Sequence, residues 1–109
     1  SFELPGAIRM AIRATAAGRA SYDGYVALGC VIRGETDHYD HIARECARGL
    51  MDLSIQFGVP VAFGVLTVHR YDQAAQRSAV PPAGAWEHNK GREAARAALM
   101  QVALGRRLG

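Results

Sequence analysis

Only two of the 109 residues are cysteine, Cys30 and Cys46, and no C-x-x-C spacing joins them. One lies in a strand-like apolar run and the other in a helix-like run, which speaks against a disulfide scaffold and for two buried, reduced thiols. Nowhere do apolar residues continue for the roughly 18 positions a membrane span requires. The first residues also lack the basic-then-apolar layout of a secretory signal, so a soluble, cytoplasmic protein is expected. The basic residues are scattered at helical spacings (Arg9, Arg13, Arg44, Arg48, Arg92, Arg96), which places them on solvated helix faces. The clustered basic stripe with interleaved aromatics of a nucleic-acid surface is missing. A net charge of +3 therefore bears on solubility and not on fold.

What is present is apolar matter in periodic form. Half of the residues are hydrophobic, enough for one core and one domain over residues 1–109. Residues 4–17 read as a helix opened by Pro5, with Ile8, Ile12 and Ala16 on one face and Gly18 as its stop. "YDGYVALGCVI" is a continuous apolar run of strand length, expected to be covered on both sides as in a parallel sheet. From Asp37 to Phe57 the positions Ile42, Cys46, Leu50, Leu53 and Phe57 recur at helical spacing, and Gly58 ends the run. "VPVAFGVLTV" supplies a second strand, Tyr71 to Ala79 a short helix and "VPPAGAW" a loop. A final helix, Asn89 to Leu108, is expected to turn Ala94, Ala95, Ala98, Leu99, Val102 and Ala103 to the core. The order α-β-α-β-α-α implies a layered α/β domain with a mostly parallel sheet. Two parallel strands make a poor sheet, and the chain opens on Ser1. A leading strand and helix are therefore expected to be missing from this chain, or a partner chain to complete the sheet.

The first strand runs into "RGETDHYDH", residues 33–41, dense in polar chemistry at the carboxyl end of a strand, where ligands of doubly wound sheets collect. Because the segment also opens a helix, the amides of Glu35, Thr36 and Asp37 present unpaired donors suited to a phosphate or other anion. The simpler reading, favoured by spacing alone, is that Thr36 or Asp37 caps the helix. His38 lies in the first turn, where the helix dipole favours a neutral imidazole able to accept a proton, although a lone histidine is more often a surface residue. His41 shares its face, but His-x-x-His without further ligands is weak evidence for zinc and no metal is expected. In "HNKGREAA", residues 88–95, Asn89 is placed to cap the last helix, with Lys90 and Glu93 in its first turn. That junction suits a polar heterocycle and suits an ordinary helix start equally well.

Together, "SFELPGA", "YDGYVALGCVIRGETDHYDHIA", "GVPVAFGVLT", "AAQR" and "NKGREAARAAL", in this order, closely resemble the lumazine synthase family of the riboflavin pathway. The resemblance implies a three-layer α/β/α, flavodoxin-like fold. It implies a transferase that condenses 5-amino-6-(D-ribitylamino)uracil with 3,4-dihydroxy-2-butanone 4-phosphate to 6,7-dimethyl-8-ribityllumazine, with loss of phosphate and water and without a cofactor. On the family's pattern, Gly34, Glu35 and Thr36 hold the phosphate, with Arg77 of a neighbouring subunit as its charged partner. His38 transfers protons, with Glu93 orienting it or stabilising its charge. Phe2, Glu3, Val31 and Ile32 line the ribitylaminouracil pocket, while Phe63 and Lys90 reach the pyrimidine from the adjacent subunit. The alternative is a paralogue that binds lumazine or flavin, or forms a shell, without turnover.

Three departures accompany the resemblance. The family's leading strand and helix, which supply an aromatic residue to the heterocycle site, precede the point where this chain starts. "SAVPPAGAWEH", between Arg77 and Asn89, is longer than the family's "AGTKAG" turn and contains two prolines. Such lengthening goes with free pentamers in place of sixty-subunit shells, so a homopentamer with shared sites is expected. Finally, Asp37 adds a negative charge beside the phosphate turn.

Overall fold

Four helices and two parallel strands follow one another in the computed structural model, which describes residues 1–109. The first helix, α1, spans Leu4–Ala16, with Pro5 in its opening turn, where a missing N–H costs no hydrogen bond. Just beyond it Gly18 takes a φ of 77°, a left-handed conformation that glycine adopts without strain. The strands β1 (Tyr25–Ile32) and β2 (Val61–Val68) pair in parallel, in register from Tyr25 opposite Val61 to Ile32 opposite Val68. Between them α2, His38–Phe57, makes the crossover and stops at Gly58, also left-handed. After β2 come α3 (Tyr71–Ser78), a single 3-10 turn at Trp86–His88, and α4 (Lys90–Leu108).

The core divides by sheet face. On one face Ile8 and Ile12 of α1 and Cys46, Leu50 and Leu53 of α2 enclose Ala27 and Val65. Each of the larger side chains contributes about 1.5–3 kcal/mol by leaving water. The crossing of α1 and α2 is close because residue 49 is glycine: a Cβ there would stand 2.8 Å from the Pro5 ring. On the other face Ala94 and Ala98 of α4 meet Ala62, and Ala74 of α3 meets Leu66 and Val68. Helices on both faces of a parallel sheet make the expected α/β/α layering.

Three expectations about burial need correction. β1 is covered on one side only: Ala27 is buried, while Val26, Leu28, Cys30 and Ile32 alternate with it on an open face. The apolar run predicts two covers because β1 carries no charged or strongly polar residue on either face, whereas α4 settles over β2 and leaves this part of β1 uncovered. In α4 only Ala94 and Ala98 are buried and Val102 is half-buried; Ala95, Leu99 and Ala103 face outward, because the helix touches the sheet along one narrow i, i+4 stripe. Likewise Ala16 of α1 is exposed, beyond the part of the helix that reaches the core.

The two thiols are free and differ in environment: Cys30 is exposed and Cys46 buried, so the expectation of two buried thiols holds for Cys46 alone. Burial also pushes the Cys46 thiol above its ordinary pKa, which suppresses the reactive thiolate. Ellman's reagent is expected to titrate Cys30 in the native protein and to reach Cys46 only in guanidinium chloride. Rapid reaction of both native thiols would contradict this packing.

Candidate active site

Pairing continues one residue beyond β1, where the Arg33 N–H donates to the Val68 carbonyl at 2.9 Å, and there the chain leaves the sheet. Residues 34–37 then cross to α2, and none of their amides finds an acceptor within the chain. The open space over Gly34, where an added Cβ would meet nothing within 4 Å, leaves the turn accessible. Thr36 takes the local bond, its Oγ1 accepting from the His38 N–H at 3.3 Å. Asp37 makes no side-chain cap; its carboxylate meets His41 Nε2 at 3.5 Å, an ion pair when that imidazole is protonated. The Thr36 hydroxyl thus supports the helix start, while the amides of residues 34–37 have no acceptor within the chain. Tyr39, next to His38, stacks at a tilt on His69 at the end of β2, with ring centroids 6.2 Å apart.

A separate cleft of about 840 Å³ runs beside β2. Its walls are β2 from Phe63 to His69, the Gln73, Gln76 and Arg77 side of α3, the loop through residues 79–88, and Lys90 and Glu93 of α4. Gln73 positions the first corner, its Oε1 accepting from the amides of His69 (2.9 Å) and Arg70 (3.1 Å). Beside it the Arg70 guanidinium bonds Asp72 at 3.0 Å and holds that carboxyl below its usual range. Arg77 spends one N–H on the Gln73 carbonyl at 3.1 Å, which orients its fork along the cleft wall. Lys90 Nζ lies 3.2 Å from Glu93 Oε1, so opposite charges share the far wall.

The site residues expected from the sequence thus fall into two groups. Phe63, Arg77, Lys90 and Glu93 share the cleft. Val31, Ile32, Gly34, Glu35, Thr36 and His38 lie at the end of β1 and the start of α2, and Phe2 and Glu3 are exposed at the start of α1; none of these lines the cleft. Within one chain the ionic partner of Glu93 is Lys90, not His38. Sequence reasoning passed over Gln73 and Gln76, although a glutamine three residues past a helix start is a recognisable capping signal.

A family model described as 6,7-dimethyl-8-ribityllumazine synthase matches residues 1–106. This chain belongs to the lumazine synthase family. Its relatives include a 6,7-dimethyl-8-ribityllumazine synthase of Paramagnetospirillum magneticum, 48% identical over 110 residues that cover 99% of this chain and 70% of the relative. A 6,7-dimethyl-8-ribityllumazine synthase 1 of Rhizobium meliloti is 48% identical over 109 residues, covering 100% of this chain and 68% of the relative. The Methylorubrum populi enzyme of the same name is 47% identical over 106 residues, 97% of this chain and 60% of that protein. The chain therefore spans about two thirds of the length of these lumazine synthases.

Proposed function

We propose that this protein is a lumazine synthase, a transferase of riboflavin biosynthesis that joins ribitylaminouracil to butanone phosphate, and that its active site forms between copies of the chain. The observation that carries the shared site is the separation of an anion-ready turn from a cleft holding Arg77, Lys90 and Glu93. One group has unpaired amides and a histidine; the other has the guanidinium fork and the ammonium that an anionic substrate needs.

In this reading the phosphate rests on the amides of Gly34, Glu35 and Thr36 and meets Arg77 of a neighbouring copy. Because Thr36 Oγ1 accepts from the His38 amide, its own proton is free to donate to a phosphate oxygen. Phe2, Glu3, Val31 and Ile32 contact ribitylaminouracil, Phe63 and Lys90 approach the pyrimidine, and Glu93 reaches His38 across the interface. The amine of ribitylaminouracil attacks the ketone and a first water leaves, phosphate is eliminated, and the ring closes by attack of the ribityl-bearing nitrogen on the second carbonyl with loss of a second water; each step moves protons between held reactants. Proximity carries much of the rate, with His38 moving the protons. The open face of β1, with Leu28 58% exposed, and the outward Leu99 and Met100 of α4 supply apolar surface for the contacts between copies. The 78–88 segment favours a pentamer over a larger shell. No helix is long and apolar enough to cross a membrane, and a cytoplasmic location goes with polar, phosphorylated substrates.

Incubating the protein with both substrates and following product absorbance is expected to give a rate well above the spontaneous condensation; a rate equal to it would refute the assignment. Light scattering is expected to return five chains per particle, and a monomer that turns over would refute the shared site. Arg77→Lys keeps the charge but loses the fork, so KM for the butanone phosphate is expected to rise about tenfold, with that for ribitylaminouracil little changed. Equal loss for both substrates would remove the phosphate role.

A further inference from the structure

Asn89 is the single buried polar residue of the molecule, and its three side-chain hydrogen bonds go to the two segments that wall the cleft. Its Oδ1 accepts from the Arg92 amide at 2.9 Å, closing the N-terminus of α4. The Nδ2 donates to the Ser78 carbonyl at 3.2 Å and the Ala79 carbonyl at 3.0 Å, at the C-terminal end of α3. Arg77 immediately precedes the first of these carbonyls, and Lys90 immediately follows Asn89. Nine residues lie between Ala79 and Asn89, a loop that by itself leaves the spacing of its ends loose.

We infer that Asn89 is a positioning residue: it staples the end of α3 to the start of α4 and so sets where Arg77 stands relative to Lys90 and Glu93 across the cleft. The inference rests on the proposed condensation and deepens it by assigning the alignment of the phosphate-binding arm to one side-chain amide. The two halves of that amide do different work. The carbonyl oxygen serves α4, while the NH₂ serves the Arg77 end. They can therefore be separated by substitution.

Asn89→Asp keeps an oxygen for the Arg92 amide, at a helix N-terminus that welcomes a negative charge, but it removes both donors to the α3 carbonyls. The expected result is a rise of about tenfold in KM for the butanone phosphate, with KM for ribitylaminouracil within twofold and kcat within threefold of the parent. Asn89→Ala, which also loses the cap, is expected to disturb both substrates. Because Asn89 acts through Arg77, the Asn89→Asp and Arg77→Gln losses should combine to much less than their product. Multiplicative losses, or equal rises in both KM values, would overturn the inference. Hydrogen exchange reads the staple without turnover: amides of residues 77–88 should exchange faster in Asn89→Asp while those of residues 92–100 keep their protection. Unchanged exchange in the first segment would overturn the staple even in an inactive protein. A parent protein that fails to accelerate condensation, yet shows this exchange pattern, would refute the assigned reaction and leave the staple standing.

Discussion

Replacing His38 by alanine is expected to slow condensation about a hundredfold, with both KM values near those of the parent and the fold intact. The size follows from what general acid–base assistance contributes when a positioned imidazole is removed. The selectivity follows from geometry. His38 is the first residue of α2 and is exposed, and its backbone N–H, which alanine retains, makes the 3.3 Å bond to Thr36 Oγ1. The anion turn should therefore survive, because it is made from the amides of residues 34–36. An exposed first-turn substitution changes stability by no more than about 0.5 kcal/mol, so the thermal midpoint should stay within a few degrees. A residual rate above the spontaneous one is expected, since substrate alignment remains. Full activity in the variant would remove His38 from the mechanism, and unfolding would show that its position in the turn is structural.

The second large effect is expected at Gly64, where local preference and packing point in opposite directions. Valine has the higher strand propensity, so the sequence alone favours Gly64→Val. In the fold, a Cβ at residue 64 would lie 2.7 Å from Leu28 Cδ2, 3.0 Å from the Ala27 carbonyl oxygen and 3.0 Å from Ala94 Cβ. The Leu28 tip can turn aside, but the carbonyl and the alanine belong to β1 and α4 and cannot yield without moving those elements. A destabilisation of about 3 kcal/mol is expected, against a typical total of about 5–15 kcal/mol, lowering the thermal midpoint by roughly 10–20 °C. Lys90 and Glu93 ride on the first turn of α4, just before Ala94, so displacement of that helix should also open the cleft. Gly105→Ala provides the contrast. Nothing lies within 4 Å of its Cβ position and the residue is inside α4, so the substitution should stabilise by about 0.5–1 kcal/mol. Equal outcomes for the two glycines in thermal melts would contradict the close approach of α4 to the sheet.

Much of this molecule is legible in its sequence because the relevant forces are local. The 3.6-residue recurrence of Ile42, Cys46, Leu50, Leu53 and Phe57, ended by Gly58, determined α2, and all five have the burial or half-burial expected of them. Strand length and the apolar runs determined β1 and β2, and the alternation of elements determined the parallel layering. The motifs carrying the family likeness lie in the same linear order as the residues they imply, so family membership was legible too.

What required the tertiary structure was every question of which face is covered and which side chains meet. Periodicity marks a residue as able to be buried, but whether Leu99 or Val26 is buried depends on where a distant element comes to rest, and α4 rests on Ala94 and Ala98 with Val102 half-buried beyond them. Composition makes Cys30 and Cys46 alike, yet only one lies against the α1–α2 layer. The motif assigns His38, Arg77 and Glu93 to one reaction, whereas a single chain holds Arg77 and Glu93 in the cleft beside β2, with His38 outside it. Sequence determined the elements and the chemistry they carry, because backbone propensity and side-chain type act over a few residues. Folding in space decided the partition of that chemistry into two groups, because packing couples residues many positions apart.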